Sequence, residues 1–211
     1  MTVEDPIEYR LSESGVTISQ SQVNRKKGMS FASGLRHILR QDPDVVMVDE
    51  IRDQETARLA IQAALTGHLV FSTLHTNDAV AAPPRLIDLG CEPYLVSAVL
   101  TVVMAQRLVR IFHNECHGAG CDACLTTGFK GRTGIFELFV LDESAREMVS
   151  QASSATVLRR YAIARGMSTL RDDGLRLVAM NATTRTEVER VTVDLSEDPD
   201  THSRYQAEAS A

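Results

Sequence analysis

The chain has 211 residues, the size of one domain or slightly more, and 44% of them are apolar, which is enough to bury a core. Lys and Arg number 22 against 28 Asp and Glu, so the formal net charge is −6, which disfavours a general nucleic-acid binder, normally strongly basic. Four cysteines are too few for a secreted disulfide scaffold, and the first residues lack a basic and apolar leader, so we expect a cytoplasmic protein.

The first hundred residues predict alternating helices and strands. Ser30 is placed to cap a helix over residues 31–39, and the apolar run Val45–Val48 is typical of a strand buried on both faces. Apolar residues at helical spacing follow over residues 57–65, and His68–His75 predicts a second strand. This order indicates an α/β layer with a parallel sheet.

The second half of the chain has a different composition. The apolar run Tyr94–Ala105 is shorter than the ~20 residues that a membrane span needs, so we expect one buried helix there. Ile135–Leu141 predicts a strand, and helices dominate after it. Thr184, with Glu187 three residues later, is a capping-box pattern for the last helix. The stretch 194–211 is acidic and nearly without large apolar side chains, which predicts a disordered tail.

Two groups of acidic residues are candidates for metal and phosphate chemistry. The first is Glu4, Asp5 and Glu8, and the second is Asp49 and Glu50, which directly follow the buried apolar run. In nucleotide hydrolases, an apolar strand that ends in acids brings carboxylates to Mg²⁺ and to the attacking water at the C-terminal edge of a sheet. Taken alone, the first group also fits a solvated acidic loop, and the second also fits an ordinary acidic turn.

Two histidines bracket the second predicted strand. His68 precedes its apolar centre, and His75 ends it, beside the hydroxyl of Thr76 and the amide of Asn77. Such groups can sense a terminal phosphate by hydrogen bonding. A strand-end histidine is nevertheless more often structural, so its neighbourhood alone assigns His75 no function.

Taken together and in this order, these segments resemble the secretion ATPase family of type II secretion and type IV pilus assembly. The resemblance covers about residues 1–193 and consists of long, specific motifs. They are the Asp box at Thr2–Tyr9, the Walker B region at Leu35–Asp53, the His box at Thr66–Asp78, and further motifs at Gln106–Leu108, Gly128–Leu138 and Met167–Leu175.

The resemblance implies a RecA-like core that hydrolyses ATP with Mg²⁺ and works as a hexameric ring. The ring would be cytoplasmic and peripheral at the inner-membrane face, where it would act with the inner-membrane platform and cytoplasmic components of the machine and with no nucleic acid. By position, Glu4 would orient the attacking water and Glu50 would be the Walker B glutamate. The other nucleotide-binding and Mg²⁺-binding residues that the resemblance implies are Asp5, Glu8, Asp49, His68 and His75.

One element of this family is absent from the sequence. The phosphate-binding pattern Gly-x-x-x-x-Gly-Lys-Ser/Thr does not occur, and none of the three lysines, Lys26, Lys27 and Lys130, lies in such a pattern. Because that loop supplies most of the grip on the β- and γ-phosphates, we expect the C-terminal part of a motor, with weak ATP binding and little turnover of its own. The alternative is a catalytically inactive, zinc-stabilised adaptor or partner-binding remnant. A RecA-like sheet without its first strand would also expose an edge, so we expect the isolated chain to aggregate or to need a partner.

A separate cluster of metal-binding residue types follows the predicted core. Cys121 and Cys124 form a Cys-x-x-Cys pair, and His113 and Cys116 have the same spacing. One imidazole and three thiolates can close a tetrahedral structural zinc site, and members of the family often carry two Cys-x-x-Cys pairs. His117 is an alternative to His113, and the competing interpretation is unliganded thiols left by a shortened insertion.

These inferences predict four parts and an α/β fold class. They are a partial RecA-like P-loop core over residues 1–110 that lacks its first strand and P-loop, a Cys-rich zinc element with a return strand over 111–141, a helical subdomain over 142–193, and the acidic tail over 194–211.

Overall fold

The structure is a computed structural model that describes residues 1–11 and 15–192. The predicted tail over residues 194–211 lies outside the described residues. The chain divides into two compact units. The first comprises residues 1–76, 80–103 and 139–162, and the second comprises residues 77–79, 104–138 and the chain from residue 163 onward.

The first unit is built on a four-stranded parallel sheet. The register pairs Val3 with Val48 and Val46 with Val70, and all neighbouring strands run in the same direction, as the sequence predicted. The C-terminal ends of the strands therefore meet at one edge. In the order β2-β1-β3-β4, the strands are β1 (Thr2–Glu4), β2 (Gln20–Gln22), β3 (Val45–Glu50) and β4 (Leu69–Thr73).

Six helices begin in this unit, and a 3₁₀ turn at Arg25–Lys27 precedes the first of them. They are α1 (Phe31–Ile38), α2 (Gln54–Leu65), α3 (Ala82–Asp88), α4 (Pro93–Val99), α5 (Glu143–Ser150) and α6 (Ala155–Ala164).

Helix α1 packs on the centre of the sheet. Val3 and Val48, which are neighbours on β1 and β3, are completely buried, and so is Leu35 of α1. Gly34 permits this close approach, because a Cβ atom at its position would lie only 3.0 Å from Cγ2 of Val3. The face of the sheet that carries Val3 and Val48 is therefore the core of the first unit.

The ends of the first two helices follow their sequence signals. The hydroxyl of Ser30 accepts from the backbone N–H of Ser33 at 3.1 Å, which confirms the predicted cap of α1. The carboxylate of Asp53 accepts from the N–H of Thr56 at 2.8 Å and caps α2. Gly67 follows α2 in the left-handed region, with φ of 98°, where a glycine avoids a steric penalty.

The apolar run Tyr94–Ala105 is not one helix, and that prediction is wrong. Helix α4 ends at Val99, Leu100 takes an extended conformation, and strand β5 (Val102–Phe112) follows. The error arises because an apolar run alone does not separate a buried helix from a strand. Among the helices in residues 1–11 and 15–192, none is long and apolar enough to cross a bilayer.

Most of a two-stranded sheet belongs to the second unit. Strand β5 pairs with β6 (Phe129–Val140), a longer strand than the predicted Ile135–Leu141. The two strands run in opposite directions, since the N–H of His113 bonds to the carbonyl of Gly128 and the N–H of Leu141 bonds to that of Thr101. A 3₁₀ turn at Asp122–Cys124 lies in the connection between them.

Two helices, α7 (Leu170–Ala179) and α8 (Arg185–Val191), complete the second unit. The capping-box prediction for α8 is half correct. The hydroxyl of Thr184 accepts from the N–H of Glu187 at 3.2 Å. The carboxylate of Glu187 goes instead to the guanidinium groups of Arg110, at 2.5 Å, and Arg190, at 3.0 Å. Because Glu187 is buried, its negative charge must be compensated by strong hydrogen-bond donors. Two guanidinium groups do this better than the single backbone N–H of a reciprocal cap.

Candidate functional site

Charged side chains gather at the C-terminal edge of the parallel sheet. Strand β3 ends at Glu50, whose side chain is only 10% exposed. Its Oε2 atom lies 2.5 Å from Nε of Arg52 and 3.2 Å from Nε2 of His75. Two of the predicted site residues, Glu50 and His75, are thus in contact, and the guanidinium of Arg52 binds the same carboxylate oxygen.

Pairing at the ends of β3 and β4 produces this contact. The hydroxyl of Thr73 donates to the carbonyl of Asp49 at 2.6 Å, and the N–H of Ile51 donates to the carbonyl of Thr73 at 3.0 Å. The register between the strands shifts between Val48 and Glu50, and such irregularities re-aim side chains near functional sites. The side chain of His75 is 78% exposed, so a ligand can reach the buried carboxylate from this direction.

Glu4 ends strand β1 and has a different set of partners. Its Oε1 atom accepts from the hydroxyl of Thr2 at 2.5 Å and from the side-chain amide of Gln20 at 2.8 Å. Gln20 begins β2, which pairs with β1, so the sheet itself delivers this donor. Glu4 is buried, and two donors on one oxygen fix the orientation of its carboxylate.

The remaining predicted residues of the nucleotide site fall in three places. The N–H of Asp5 donates to Oδ2 of Asp49 at 3.1 Å, so these two acids are neighbours. Glu8 is exposed on the loop after β1. The ring of His68 is held at the end of α2, where Nδ1 lies 3.0 Å from the hydroxyl of Thr66.

The acids at the sheet edge do not form a closed metal cage. Among the described residues, the only group of three or more His, Cys, Asp and Glu side chains close enough to share an ion is in the Cys-rich loop. Protein-bound Mg²⁺ keeps several waters and uses one or two carboxylates together with substrate phosphates. The few carboxylates at this edge, Glu50 and the Asp5–Asp49 pair, are compatible with an Mg²⁺ ion that also binds the phosphates of a nucleotide.

The Cys-rich loop brings all four predicted zinc ligands together. The ligand atoms of His113, Cys116, Cys121 and Cys124 lie within 4.8 Å of one another. Sγ of Cys124 is 3.8 Å from Sγ of Cys116 and 3.7 Å from Sγ of Cys121, and Nδ1 of His113 is 3.3 Å from Sγ of Cys121. Zn–S bonds of about 2.3 Å and a Zn–N bond of about 2.0 Å in a tetrahedron require S···S edges of about 3.8 Å and N···S edges of about 3.5 Å. These three spacings are close to the edges of a tetrahedral zinc site.

The loop backbone also prepares one thiol for a metal. The N–H groups of Cys121 and Gly128 point at Sγ of Cys124 from 3.2 and 3.3 Å. Burial acts to raise the pKa of the Cys124 thiol, but hydrogen bonds from these amides and the neighbouring thiols outweigh it and lower the pKa to about 7. The thiolate is the form that binds metal, and these hydrogen bonds favour it at Cys124, whereas burial raises the pKa of the neighbouring Cys121 thiol. His117, the alternative ligand, lies outside the group of four.

Two residues of the site were not among the predicted site residues. Arg52 lies in the Walker B region, two positions after Glu50, and that position was the available signal. Gln20 is sixteen positions from Glu4 and reaches it only through the pairing of β1 with β2. No local pattern in the sequence encodes that pairing.

Comparisons with known proteins agree with this arrangement. The Type II/IV secretion system protein family matches residues 1–190. The type II secretion system protein HxcR of Pseudomonas aeruginosa is 52% identical over 202 residues, covering 92% of this chain and 42% of that protein. The type IV pilus assembly ATPase PilB of Thermus thermophilus is 43% identical over 220 residues, covering 92% of this chain and 24% of that protein. The chain thus spans less than half the length of these relatives.

Solved structures show the same relationship. A crystal structure of the pilus retraction motor PilT with bound ADP superposes with a TM-score of 0.76 at 30% identity, covering 93% of this chain and 53% of that one. The ATPase DotB of Legionella pneumophila superposes with a TM-score of 0.69 at 26% identity. The predicted RecA-like α/β fold class and the resemblance to secretion and pilus ATPases are both confirmed. The chain belongs to the Type II/IV secretion system protein family.

Proposed function

We propose that this chain is part of an ATP-hydrolysing motor that powers type II secretion or type IV pilus assembly. The observation that carries the proposal is the buried Glu50, held by Arg52 and His75 at the C-terminal edge of a parallel sheet. Nucleotides bind at this edge in open α/β sheets. The names of the HxcR and PilB relatives support the same assignment.

In this mechanism Glu50 is the base that acts on the attacking water. Arg52 and His75 hold its carboxylate in one orientation, so that it accepts a hydrogen bond and then a proton from the water. Mg²⁺, when it is bound with ATP, neutralises the charge that develops on the phosphates. Glu4, fixed by Thr2 and Gln20, orients the water from the next strand.

The other nucleotide contacts are assigned by position on the sheet. Asp49 directly precedes Glu50 on β3, Asp5 lies beside Asp49, and both support the metal side of the nucleotide. His75 and Glu8 face solvent and are free to contact phosphate or its bound metal when the nucleotide arrives. His68, tied to α2, directly precedes β4, the strand that leads to His75.

We assign the machine-level roles on the same basis. The motor works as a hexameric ring at the cytoplasmic face of the inner membrane, with the membrane platform and cytoplasmic components of its machine as partners. Residues 1–110 form the core, 111–141 the zinc element with its return strand, 142–193 the helical subdomain and 194–211 the tail. The family membership supports these roles.

The test is ATP hydrolysis by this chain alone and by a hybrid in which residues 1–192 replace the matching segment of the HxcR relative. We expect the hybrid to hydrolyse ATP and Glu50→Gln to slow it by about 10²–10⁴-fold, the usual contribution of a general base. Glu92→Gln changes an exposed glutamate of the same unit that makes no capping bond and is the matched control.

Two outcomes contradict the motor assignment. One is a folded hybrid without hydrolysis, and the other is hydrolysis that Glu50→Gln and Glu92→Gln affect equally. A folded hybrid that lacks hydrolysis but retains zinc supports the second candidate function, an inactive zinc-stabilised adaptor. The tetrahedral spacing of His113 and the three cysteines is the observation that favours this candidate.

We also propose that the Cys-rich loop binds one structural Zn²⁺ through His113, Cys116, Cys121 and Cys124. The chain purified without chelator should contain one zinc per molecule by elemental analysis, and removal of the metal should lower its melting temperature. His113→Ala should lose the metal, whereas the matched change His117→Ala should keep it. The reverse result would transfer the ligand role to His117, and zinc-free protein of equal stability would leave the thiols unliganded.

A further inference from the structure

The side-chain amide of Gln20, at the start of β2, joins the end of strand β1 to the loop that follows it. Nε2 donates to Oε1 of Glu4 at 2.8 Å and to the carbonyl of Tyr9 at 3.0 Å. Oε1 of Gln20 accepts from the N–H of Leu11 at 2.9 Å. All four residues belong to the first unit. One side chain therefore contacts both a proposed site carboxylate and the backbone of the segment Tyr9–Leu11.

These three bonds require the chemistry of a glutamine at this position. The carboxylate of Glu4 and the carbonyl of Tyr9 are acceptors, whereas the N–H of Leu11 is a donor. A side-chain amide offers two N–H donors beside one carbonyl acceptor, and this set matches the three partners. A carboxylate at position 20 would instead face two acceptors. The position therefore demands a glutamine rather than any polar residue of the same length.

The two oxygens of the Glu4 carboxylate have different surroundings. Oε1 accepts from both Gln20 and the hydroxyl of Thr2. Among the residues that the structure describes, none donates a hydrogen bond to Oε2. Oε2 is therefore the oxygen that remains for a water molecule. The two donors on Oε1 determine which way this second oxygen points.

The segment Tyr9–Leu11 depends on the same amide. Tyr9 is 78% exposed and Leu11 is 47% exposed, so apolar packing contributes little to holding the segment. Within the described part of the chain, its hydrogen bonds are the two to Gln20. Glu8, an exposed acid and a proposed nucleotide contact, directly precedes it. A movement at Glu8 therefore reaches the backbone groups that anchor Gln20.

We propose that Gln20 is a positioning residue that couples the orientation of the Glu4 carboxylate to the position of the segment Tyr9–Leu11. The proposal rests on the proposed function for what Glu4 does to water, whereas the coupling itself does not depend on it. With the segment in place, two backbone groups anchor the amide and direct its other N–H at Glu4. With the segment displaced, Glu4 keeps only the hydroxyl of Thr2 and its carboxylate gains freedom to rotate.

The first measurement is hydrogen exchange at the N–H of Leu11 in the full chain, without nucleotide. Gln20→Leu removes the acceptor of this N–H and should speed its exchange several-fold. Glu4→Leu should also speed it, because Gln20 loses an anchor, but should add nothing in the Gln20→Leu background. Gln22→Leu changes an exposed glutamine of the same strand and is the matched control, which should exchange like wild type.

The second measurement is ATP hydrolysis by the hybrid with the HxcR relative. Gln20→Leu should lower kcat and leave KM for ATP nearly unchanged, because Gln20 acts through the orientation of Glu4. A misplacement of about 1 Å can cost about 10²-fold, so we expect kcat to fall by up to about 10²-fold. In the Glu4→Gln background, Gln20→Leu should slow hydrolysis no further. Gln22→Leu should hydrolyse ATP like wild type.

The outcomes separate positioning from a structural role. Unchanged exchange at Leu11 in Gln20→Leu overturns the proposal, and so does a full additional effect of Glu4→Leu in that background. Equal slowing of hydrolysis by Gln20→Leu with and without Glu4→Gln also overturns it. If Gln20→Leu does not fold, Gln20→Glu takes its place by the same criteria, since its carboxylate faces two acceptors. A hybrid without hydrolysis contradicts the motor assignment, whereas exchange at Leu11 still decides the coupling.

Discussion

At the scale of the residue, Glu187 carries a buried charge in the second unit. The hydrogen bond from Arg110, opposed by burial and aided by Arg190, lowers the pKa of Glu187 to about 2. The free carboxyl has a pKa of about 4.3, so the network stabilises the fold above that pH and loses its effect as pH falls toward 2. At pH 7, Glu187→Gln should cost about 1.5–3 kcal/mol in the free energy of unfolding. Urea denaturation across this pH range should show the difference from wild type shrinking toward pH 2.

The control for this prediction lies on the same helix. Glu189, whose side chain is 46% exposed, pairs with the exposed Arg185 one turn away at 2.9 Å and more distantly with Arg171 at 3.6 Å. Such a pair contributes only about 0.3–0.5 kcal/mol, so Glu189→Gln should change stability little at any pH. Equal losses for the two variants, or a loss for Glu187→Gln that does not vary with pH, would show that the buried network is not the cause.

At the scale of the element, the packing of α7 on α8 depends on the absence of a side chain at Gly174. Alanine favours a helix over glycine by about 0.5–1 kcal/mol. A Cβ atom at Gly174 would nevertheless lie 2.4 Å from Cγ1 of Val188, a completely buried side chain with a stiff rotamer. Overpacking of this kind costs about 1–3 kcal/mol, so we expect Gly174→Ala to destabilise the chain in urea denaturation.

A double-mutant cycle tests whether steric conflict is the reason. Val188→Ala removes the clashing methyl groups and is destabilising by itself, because it leaves a cavity. In that background Gly174→Ala should become neutral or stabilising, since only the helix propensity remains. If Gly174→Ala costs the same in both backgrounds, the close approach of the two helices does not explain its effect.

Elements whose signals are local could be predicted from the sequence, and elements that depend on distant pairing could not. Val45–Val48 has flanking acids that bound the strand, and Ser30 carries its own capping chemistry, so β3 and the start of α1 were predictable. Tyr94–Ala105 has no internal turn signal, and the switch from α4 to β5 at Leu100 follows from tertiary pairing. For the same reason, Glu187 fitted a cap by spacing but binds Arg110, which is distant in sequence.

The candidate sites divide in the same manner. The four candidate metal ligands lie in two pairs of the same spacing within one short loop, so the sequence grouped them and left open only the choice between His113 and His117. The family resemblance placed Glu50 and His75 in one nucleotide site, and their direct contact is seen only in the structure. Two other hydrogen bonds join residues that are distant in the chain. Gln20 donates to Glu4, and the N–H of Ala79 donates to Glu137. They could be found only from coordinates.

At the scale of the whole molecule, one face of the sheet carries exposed apolar side chains. Side chains alternate along a strand, so Leu69 and Phe71 point away from the face on which α1 packs. They are 55% and 54% exposed, and their neighbour Val45 is 40% exposed. Among the residues that the structure describes, β4 is also an edge of the sheet. An exposed apolar edge strand is a template for self-association.

This surface predicts that the isolated chain associates with itself. A single charged side chain introduced on the edge strand should reduce this association. Phe71→Lys places a cation on the edge strand and should lower the apparent mass by light scattering and raise the soluble concentration. Tyr94→Lys, an equally large change at a 62% exposed aromatic residue on helix α4, should do neither. Because Tyr94 lies on a helix and not on the edge of a sheet, the contrast between the two variants isolates the role of the strand. A wild-type chain that stays monomeric and unfolds cooperatively, or two variants that behave alike, would contradict the prediction.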